Sequence, residues 1–101
     1  MIVYNVTIKV QAQVADAWLQ WLRLEHIPDV LGTGCFTHAR VLQLLEIDDS
    51  EGPTYAVQYE AESKADYNRY LEKYASEMRQ RGYEKWGDAF IAFRTLMMIV
   101  Q

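Results

Sequence analysis

Two segments of this chain alternate strictly between apolar and polar residues, and each precedes a segment with helical spacing. The first runs from Ile2 to Val10 and the second from Thr54 to Ala61. A period of two is the pattern of a β-strand with one buried face. Both segments therefore predict strands. The repetition of a strand followed by a helix constrains the fold more than any other feature of the sequence.

The two segments that follow these strands predict amphipathic helices. The first has apolar residues at helical spacing from Val14 to Pro28. Pro28 disfavours helical geometry at Ile27, so we expect it to bend or end this helix. The second helix is predicted from Lys64 to Arg81, with Ser63 as its N-cap.

Two further strands complete the pattern. They are predicted from Phe36 to Ile47 and from Ala89 to Val100. An acidic six-residue turn separates the former from the strand at Thr54, so these two strands should form a hairpin. The glycines at 82 and 87 are expected to bracket a connector that contains Tyr83 and Trp86.

The order of elements predicts one α+β domain over residues 1–101. The chain reads as two β-α-β units in tandem, and right-handed crossovers place both helices on one face of the sheet. Interleaving the units gives a ferredoxin-like β-α-β-β-α-β fold with a four-stranded antiparallel sheet. A length of 101 residues suits a single domain.

The last predicted strand is apolar on both sides, although two helices can cover only one face of a sheet. Its apolar residues on one side are Ile91, Phe93, Met97 and Ile99, and on the other Phe90, Ala92, Leu96, Met98 and Val100. Monomers seldom expose so many large apolar side chains together. We therefore expect a homodimer through the helix-free sheet face. The alternative is that the connector before this strand covers part of it.

Composition and charge exclude several classes of protein. A net charge of −4 and a pI near 5.0 argue against binding to nucleic acid or to an anionic membrane. No apolar run approaches the ~20 residues that span a bilayer. The single cysteine, Cys35, cannot form an intrachain disulfide. The sequence begins with strand-like residues and leaves no room for a signal peptide, so we expect a cytoplasmic protein.

The end of the first predicted helix carries a resemblance. His26 is followed by the apolar-proline stretch Ile27-Pro28-Asp29-Val30-Leu31 and the turn Gly32-Thr33-Gly34. This pattern resembles the dimeric α+β barrels, which include small monooxygenases and muconolactone-isomerase-like proteins. With Phe93-Arg94-Thr95-Leu96 near the end, nearly the whole chain is similar to a family of small bacterial proteins of unknown function.

The resemblance implies a barrel-forming homodimer but no activity. Haem-degrading members of the superfamily hold haem through a histidine on the second helix. The predicted helix over 64–81 contains no histidine, which argues against haem here.

Glu25 and His26 are the candidate catalytic residues. On an α-helical wheel, Glu25 falls among Trp18, Trp21 and Leu22, within the apolar stripe. A buried carboxylate or imidazole there could accept a proton. The alternative is structural: His26 caps the final turn and Glu25 is solvated.

Asn5, Gln58, Arg40 and Arg94 are the candidate ligand-binding residues. Asn5 and Gln58 lie on the less apolar sides of their strands, and Arg40 and Arg94 interrupt the other two strands; we expect all four on the helix-free face. Converging between two sheets, they would suit a small carboxylate or enolate. The alternative is an ion pair between subunits, in which Arg94 or Arg40 contacts Glu60.

These residues predict a dimeric protein that binds a small carboxylate- or carbonyl-bearing molecule and acts on it, if at all, without a cofactor. The alternative is a non-catalytic interaction or regulatory domain with a filled interior. No recognised metal-ligand spacing or glycine-rich phosphate loop occurs, so neither metal nor nucleotide is expected. A cavity of roughly 300 Å³ or more between the sheets would favour ligand binding.

Overall fold

The structure is a computed structural model that describes all 101 residues. Its four strands form one sheet in the order β2-β3-β1-β4, in which every neighbouring pair is antiparallel. The strands are β1 (Ile2–Val10), β2 (His38–Gln43), β3 (Thr54–Ala61) and β4 (Phe90–Met98). This confirms the predicted ferredoxin-like fold, and β1 and β3 have the predicted bounds.

The helices all pack on one face of this sheet. A 3₁₀ turn over Ala12–Val14 leads into the first helical region, and the second region is two α-helices that meet at Tyr74. The elements of the first region are α1 (Ala15–Trp21), a π-helical turn (Leu22–His26) and α2 (Ile27–Leu31); those of the second are α3 (Lys64–Lys73) and α4 (Ala75–Trp86).

The core lies between the helices and the sheet. Alternate residues of β1 and β3 fill its floor, because successive side chains of a strand point to opposite faces. Trp18 and Leu22 from the first helical region and Tyr70 and Met78 from the second cover them. The remaining buried core includes Tyr4, Val6, Ile8, Val10, Val57, Tyr59, Ala61, Cys35 and Phe36.

Several predicted boundaries were wrong, including both ends of the last strand, which covers Phe90–Met98 and not 89–100. Strand β2 covers only His38–Gln43, shorter than expected, and Glu46 beyond it adopts a positive φ of 58°. The last helix continues to Trp86, so no connector begins at Gly82. A Cβ at Gly82 would lie 3.8 Å from the rings of Phe90 and Trp21, an ordinary van der Waals distance, so this glycine sits inside the helix without being required there.

Pro28 does not end the first helical region, although the helix before it is modified. The chain forms the π-helical turn over Leu22–His26 and then continues as α2, with the proline in the first turn of that helix. A first-turn position suits proline because the N–H that it lacks would have no partner within the helix. No helix in the structure is both long and apolar enough to span a bilayer.

Candidate functional site

A small cavity lies between the helical layer and the sheet. Its volume is about 60 Å³, and 13 of the 17 residues that line it are hydrophobic. We call it the helix–sheet cavity. Its charged or titratable lining residues include His26 from the π-helical turn, Arg79 from α4 and Arg94 from β4, together with the four tyrosines at positions 4, 59, 70 and 83.

His26 is held against an aromatic wall of this cavity. Its ring stacks on the indole of Trp21, with centroids 4.7 Å apart and planes inclined by 23°. Burial lowers the pKa of His26 to about 4; the nearby Asp29 carboxylate opposes this shift, and Arg81 adds to it. The imidazole is therefore neutral near pH 7 and can accept a proton or a hydrogen bond.

Arg79 enters the cavity from α4 with its hydrogen-bonding capacity only partly used. Its Nη2 donates to the hydroxyl of Tyr4 over 3.3 Å, while its Nε is buried without any partner. The ion pairs of the structure involve other residues: His38 with Glu60, Arg69 with Asp66, and Arg81 with both Asp29 and Glu77. Arg79 therefore lacks a counter-ion.

Arg94 reaches the same cavity, which corrects its predicted position. In the register of the sheet, Arg94 lies opposite Val6, and directly opposed residues share a face. Val6 belongs to the core beneath the helices. Arg94 is thus on the helix-covered face and not on the helix-free one. Glu60 lies opposite Val3 on the other face, so Arg94 and Glu60 of one chain are on opposite sides of the sheet; an ion pair between subunits stays a prediction.

Two tyrosines of the cavity keep their protons well above neutral pH. Burial raises the pKa of the Tyr59 hydroxyl, with smaller contributions from Tyr70 and Tyr4. Burial also raises the pKa of Tyr70, and the nearby Arg79 and Arg94 oppose that shift. Both hydroxyls are therefore available as hydrogen-bond donors in the pH range where His26 is neutral.

Glu25 is exposed and is not part of the helix–sheet cavity. The α-helical wheel was wrong at this residue because the π-helical turn inserts one extra residue into the repeat. In an α-helix, the residue four positions after Trp21 would face the cavity. In this π-helical turn, the residue five positions after Trp21 faces it instead. His26 occupies that position, and Glu25 is rotated towards solvent.

Asn5, Gln58 and Arg40 lie together on the helix-free face, as predicted. Arg40 Nε donates to Gln58 Oε1 over 3.0 Å, Gln58 Nε2 donates to Asn5 Oδ1 over 3.3 Å, and Asn5 Nδ2 donates to Thr7 Oγ1 over 3.0 Å. We call these four residues the polar row. Arg40 and Gln58 border a recess of about 260 Å³.

The predicted site residues therefore divide between the two faces of the sheet. His26 and Arg94 meet in the helix–sheet cavity, whereas Asn5, Gln58 and Arg40 form the polar row on the opposite side. No group of three or more His, Cys, Asp or Glu side chains in the structure could hold a metal ion.

Sequence reasoning missed Arg79, the most buried cation of the cavity. The available signal was its position next to Met78, at the edge of the apolar stripe of the helix. A charged residue at such an edge usually lies in solvent, so the pattern alone does not single it out.

Comparison with known proteins confirms the fold. A dimeric ferredoxin-like protein from an uncultured marine organism has a TM-score of 0.71 and 14% identity, covering 100% of this chain and 96% of its own. An ethyl tert-butyl ether d (EthD) family protein from Bacillus halodurans C-125 has a TM-score of 0.66 and 11% identity, covering 97% of this chain and 100% of its own. A candidate monooxygenase from Shewanella loihica PV-4 has a TM-score of 0.56 and 13% identity, covering 99% and 95%.

At these identities the structural likeness shows the fold alone. No curated protein is matched by the sequence. The family model described as "Domain of unknown function (DUF4286)" matches residues 1–100, and the chain belongs to that family.

Proposed function

We propose that this protein binds a small organic molecule bearing a carboxylate or carbonyl group in the helix–sheet cavity. One observation carries the proposal: two guanidinium groups without a carboxylate partner, those of Arg79 and Arg94, line one mainly hydrophobic cavity.

The electrostatics of Arg79 favour an anionic ligand. Its Nε is shielded from solvent and makes no hydrogen bond. A buried charge is costly unless it is paired and hydrogen-bonded, and arginine binds carboxylates through two parallel N–H donors. A ligand carboxylate or enolate in the cavity would supply the missing acceptor.

The volume of the cavity limits how much of the ligand it can enclose. About 60 Å³ accommodates the carboxyl end of a small acid and a few more atoms. Tyr83 and Arg94 are exposed and also line the cavity, so they mark its mouth. The remainder of a larger ligand would extend through this mouth.

The same geometry suits a proton transfer next to a carbonyl group. His26 would take a proton from the carbon beside the carbonyl, and the electron pair of that C–H bond would move onto the carbonyl oxygen. Arg79 or Arg94 would stabilise the resulting enolate, as oriented cations do where negative charge develops. Glu25, the other predicted catalytic residue, is exposed and has no role in this scheme.

The small cavity also favours the alternative, a non-catalytic interaction domain with a filled interior. The volume is below the several hundred cubic ångströms of typical ligand pockets. In that case Arg79 would only support the packing of α4 on Tyr4, and no small anion would bind.

Binding can be tested by native mass spectrometry of the purified protein and by NMR titration with acetate, pyruvate and benzoate. We expect saturable chemical-shift changes at residues around the cavity. Arg79→Gln should weaken the affinity for the acid at least tenfold. Arg23→Gln, which removes the same charge from an exposed position outside the cavity, is the control. If none of these acids binds and no small molecule co-purifies, the filled-interior alternative is correct.

A homodimer through the helix-free face is the second part of the proposal. That face exposes five large apolar side chains, Leu42, Ile91, Phe93, Met97 and Ile99. Burying each would contribute roughly 1.5–3 kcal/mol. The helices of the structure all pack on the opposite face, and one structural neighbour is described as dimeric. We also place the protein in the cytoplasm, where a single free cysteine such as Cys35 is ordinary.

A matched pair of substitutions tests the interface. Phe93 and Leu24 are both 66% exposed, but Leu24 lies on the outer side of the first helical region. Light scattering after size exclusion should show a dimer for the wild type and for Leu24→Asp, and a monomer for Phe93→Asp. A wild-type monomer at high concentration would contradict the proposed dimer and would leave the helix–sheet cavity unaffected.

A further inference from the structure

The π-helical turn places two side chains five residues apart in direct contact. Within it, the amide of Ile27 donates to the carbonyl of Leu22, a bond that spans five residues. In an α-helix, residues five apart differ in direction by about 140°, because each residue turns the chain by about 100°. The rings of Trp21 and His26 could not then stack. Their centroid separation of 4.7 Å therefore depends on the wide turn.

Pro28 supplies the physical cause for a wide turn at this place. In a continuous α-helix its ring would clash with the carbonyl of Leu24, four residues earlier, and it has no N–H to donate to that carbonyl. A π-helical turn immediately before the proline moves that carbonyl out of the α-helical position. Helix α2 then begins with the proline in its first turn, where it is tolerated.

We propose that Pro28 is a positioning residue that determines which side chain faces the helix–sheet cavity, His26 in its presence and Glu25 in its absence. The placement of the imidazole stands on the geometry of the turn alone. Only its consequence for ligand binding rests on the proposed function.

The exchange would change the chemistry of the cavity. With the turn present, the cavity holds a neutral imidazole beside the guanidinium groups of Arg79 and Arg94. Without it, a carboxylate would face the same two cations and pair with them. The proposed anion site would then be occupied by the protein itself, so the wide turn keeps the site open.

Replacing Pro28 with alanine tests this directly, since alanine restores the N–H and removes the ring. We expect the His26–Trp21 ring contacts seen by NMR in the wild type to disappear. We also expect the pKa of His26 to rise from about 4 towards its ordinary value near 6.5. The other charged groups near this imidazole are Asp29, Arg81, Arg79 and Arg94, and none of them is altered by the substitution.

A second pair of variants tests which way the side chain at position 25 faces, independently of any measurement on His26. Position 25 is exposed in the wild type, so Glu25→Leu should leave the midpoint of urea unfolding unchanged. In the Pro28→Ala background the same change should lower the midpoint, because it would remove the carboxylate that pairs there with Arg79 and Arg94 and would leave both cations unpaired. Pro53→Ala, which alters the only other proline and keeps the carbonyl that accepts from Val10, is the control for proline removal.

Three outcomes are decisive. Loss of the ring contacts, together with a lower unfolding midpoint from Glu25→Leu only in the Pro28→Ala background, supports the proposal. Unchanged contacts and pKa in Pro28→Ala overturn it, as would the absence of these contacts in the wild type. If Pro28→Ala does not fold, Pro28→Ser, which also restores the N–H, takes its place. Anion titrations of the wild type remain a separate test of the proposed function.

Discussion

The hydroxyl of Tyr4 on β1 accepts a hydrogen bond from Arg79 Nη2 on α4 over 3.3 Å. This contact joins the centre of the sheet to the last helix across the helix–sheet cavity. Tyr4 is only 3% exposed, and its ring also packs against those of Phe36, Tyr59 and Tyr70. The hydroxyl is thus a fixed acceptor for a cation that has few others.

Replacing Tyr4 with phenylalanine should therefore destabilise the protein although the ring is kept. The guanidinium of Arg79 would lose an acceptor in a half-buried position, at a cost of about 1.5–3 kcal/mol for a hydrogen bond to a charged group. Urea unfolding measures the change. Tyr74→Phe, at a half-buried position between α3 and α4 and outside the cavity lining, is the control and should cost less. Equal losses of unfolding free energy in the two variants would show that the hydrogen bond between Tyr4 and Arg79 does not stabilise the fold.

The buried imidazole of His26 makes stability depend on pH in a defined window. Its pKa is about 4 in the folded chain and about 6.5 when unfolded, so the unfolded state binds more protons between these values. Stability should fall as the pH decreases from about 6.5 to about 4, by up to about 3 kcal/mol, and His26 should add no further change below that.

The difference between wild type and His26→Gln, followed by urea unfolding across this range, isolates the contribution of His26 from that of the carboxylates. The other histidine, His38, is exposed and lies on the opposite sheet face. His38→Gln should therefore retain the pH dependence of the unfolding free energy that His26→Gln loses. A His26→Gln curve parallel to that of the wild type would contradict the buried, neutral state of the imidazole.

Gly52 should tolerate no side chain. A Cβ there would lie 1.8 Å from the carbonyl oxygen of Val10 and 2.8 Å from the amide nitrogen of Ala12, and the residue has a φ of 149°. Gly52→Ala should cost at least about 3 kcal/mol, since both backbone strain and a steric clash oppose it. Gly34→Ala has a positive φ of 77° but no atom within 4 Å of the added carbon, and should cost about 1–2 kcal/mol. Thermal unfolding that ranks the two variants in the opposite order would refute this account.

Ser63 caps α3, and its removal should weaken that helix alone. Its hydroxyl accepts from the amide of Asp66 over 3.3 Å. Ser63→Ala should cost about 1 kcal/mol, the usual value of an N-cap. Ser76→Ala, inside α4 and exposed, should be neutral or slightly stabilising because alanine favours helices. Hydrogen exchange should show faster opening of the first turn of α3 in Ser63→Ala and not in Ser76→Ala.

Strands β1 and β3 could be predicted to the residue because strict alternation leaves only one phase for a half-buried strand. Strand β4 offers no such information. It is apolar on both sides, so its pattern cannot say which side faces the helices. The register with β1 decides this, and it places Arg94 opposite Val6.

The helical segments show a similar limit of sequence-based prediction, here for the 3.6-residue period of an α-helix. Gly82 was interpreted as a helix breaker, whereas it lies inside α4, where even an added Cβ would make only ordinary contacts with Phe90 and Trp21. Gly87, with a φ of 58°, is the glycine that follows the last helical residue. The assignment of Glu25 to the cavity assumed an unbroken α-helical repeat, and one wide turn was enough to exchange it for its neighbour.

The extra residue of that turn has a consequence for comparing relatives. A regular α-helix would need one residue fewer to join the same two packed ends, so a related chain that lacks the wide turn should carry a one-residue gap at this point. Its equivalent histidine would stand four positions after the tryptophan instead of five. An alignment that forbids gaps within helices would then pair that histidine with Glu25 and miss the correspondence.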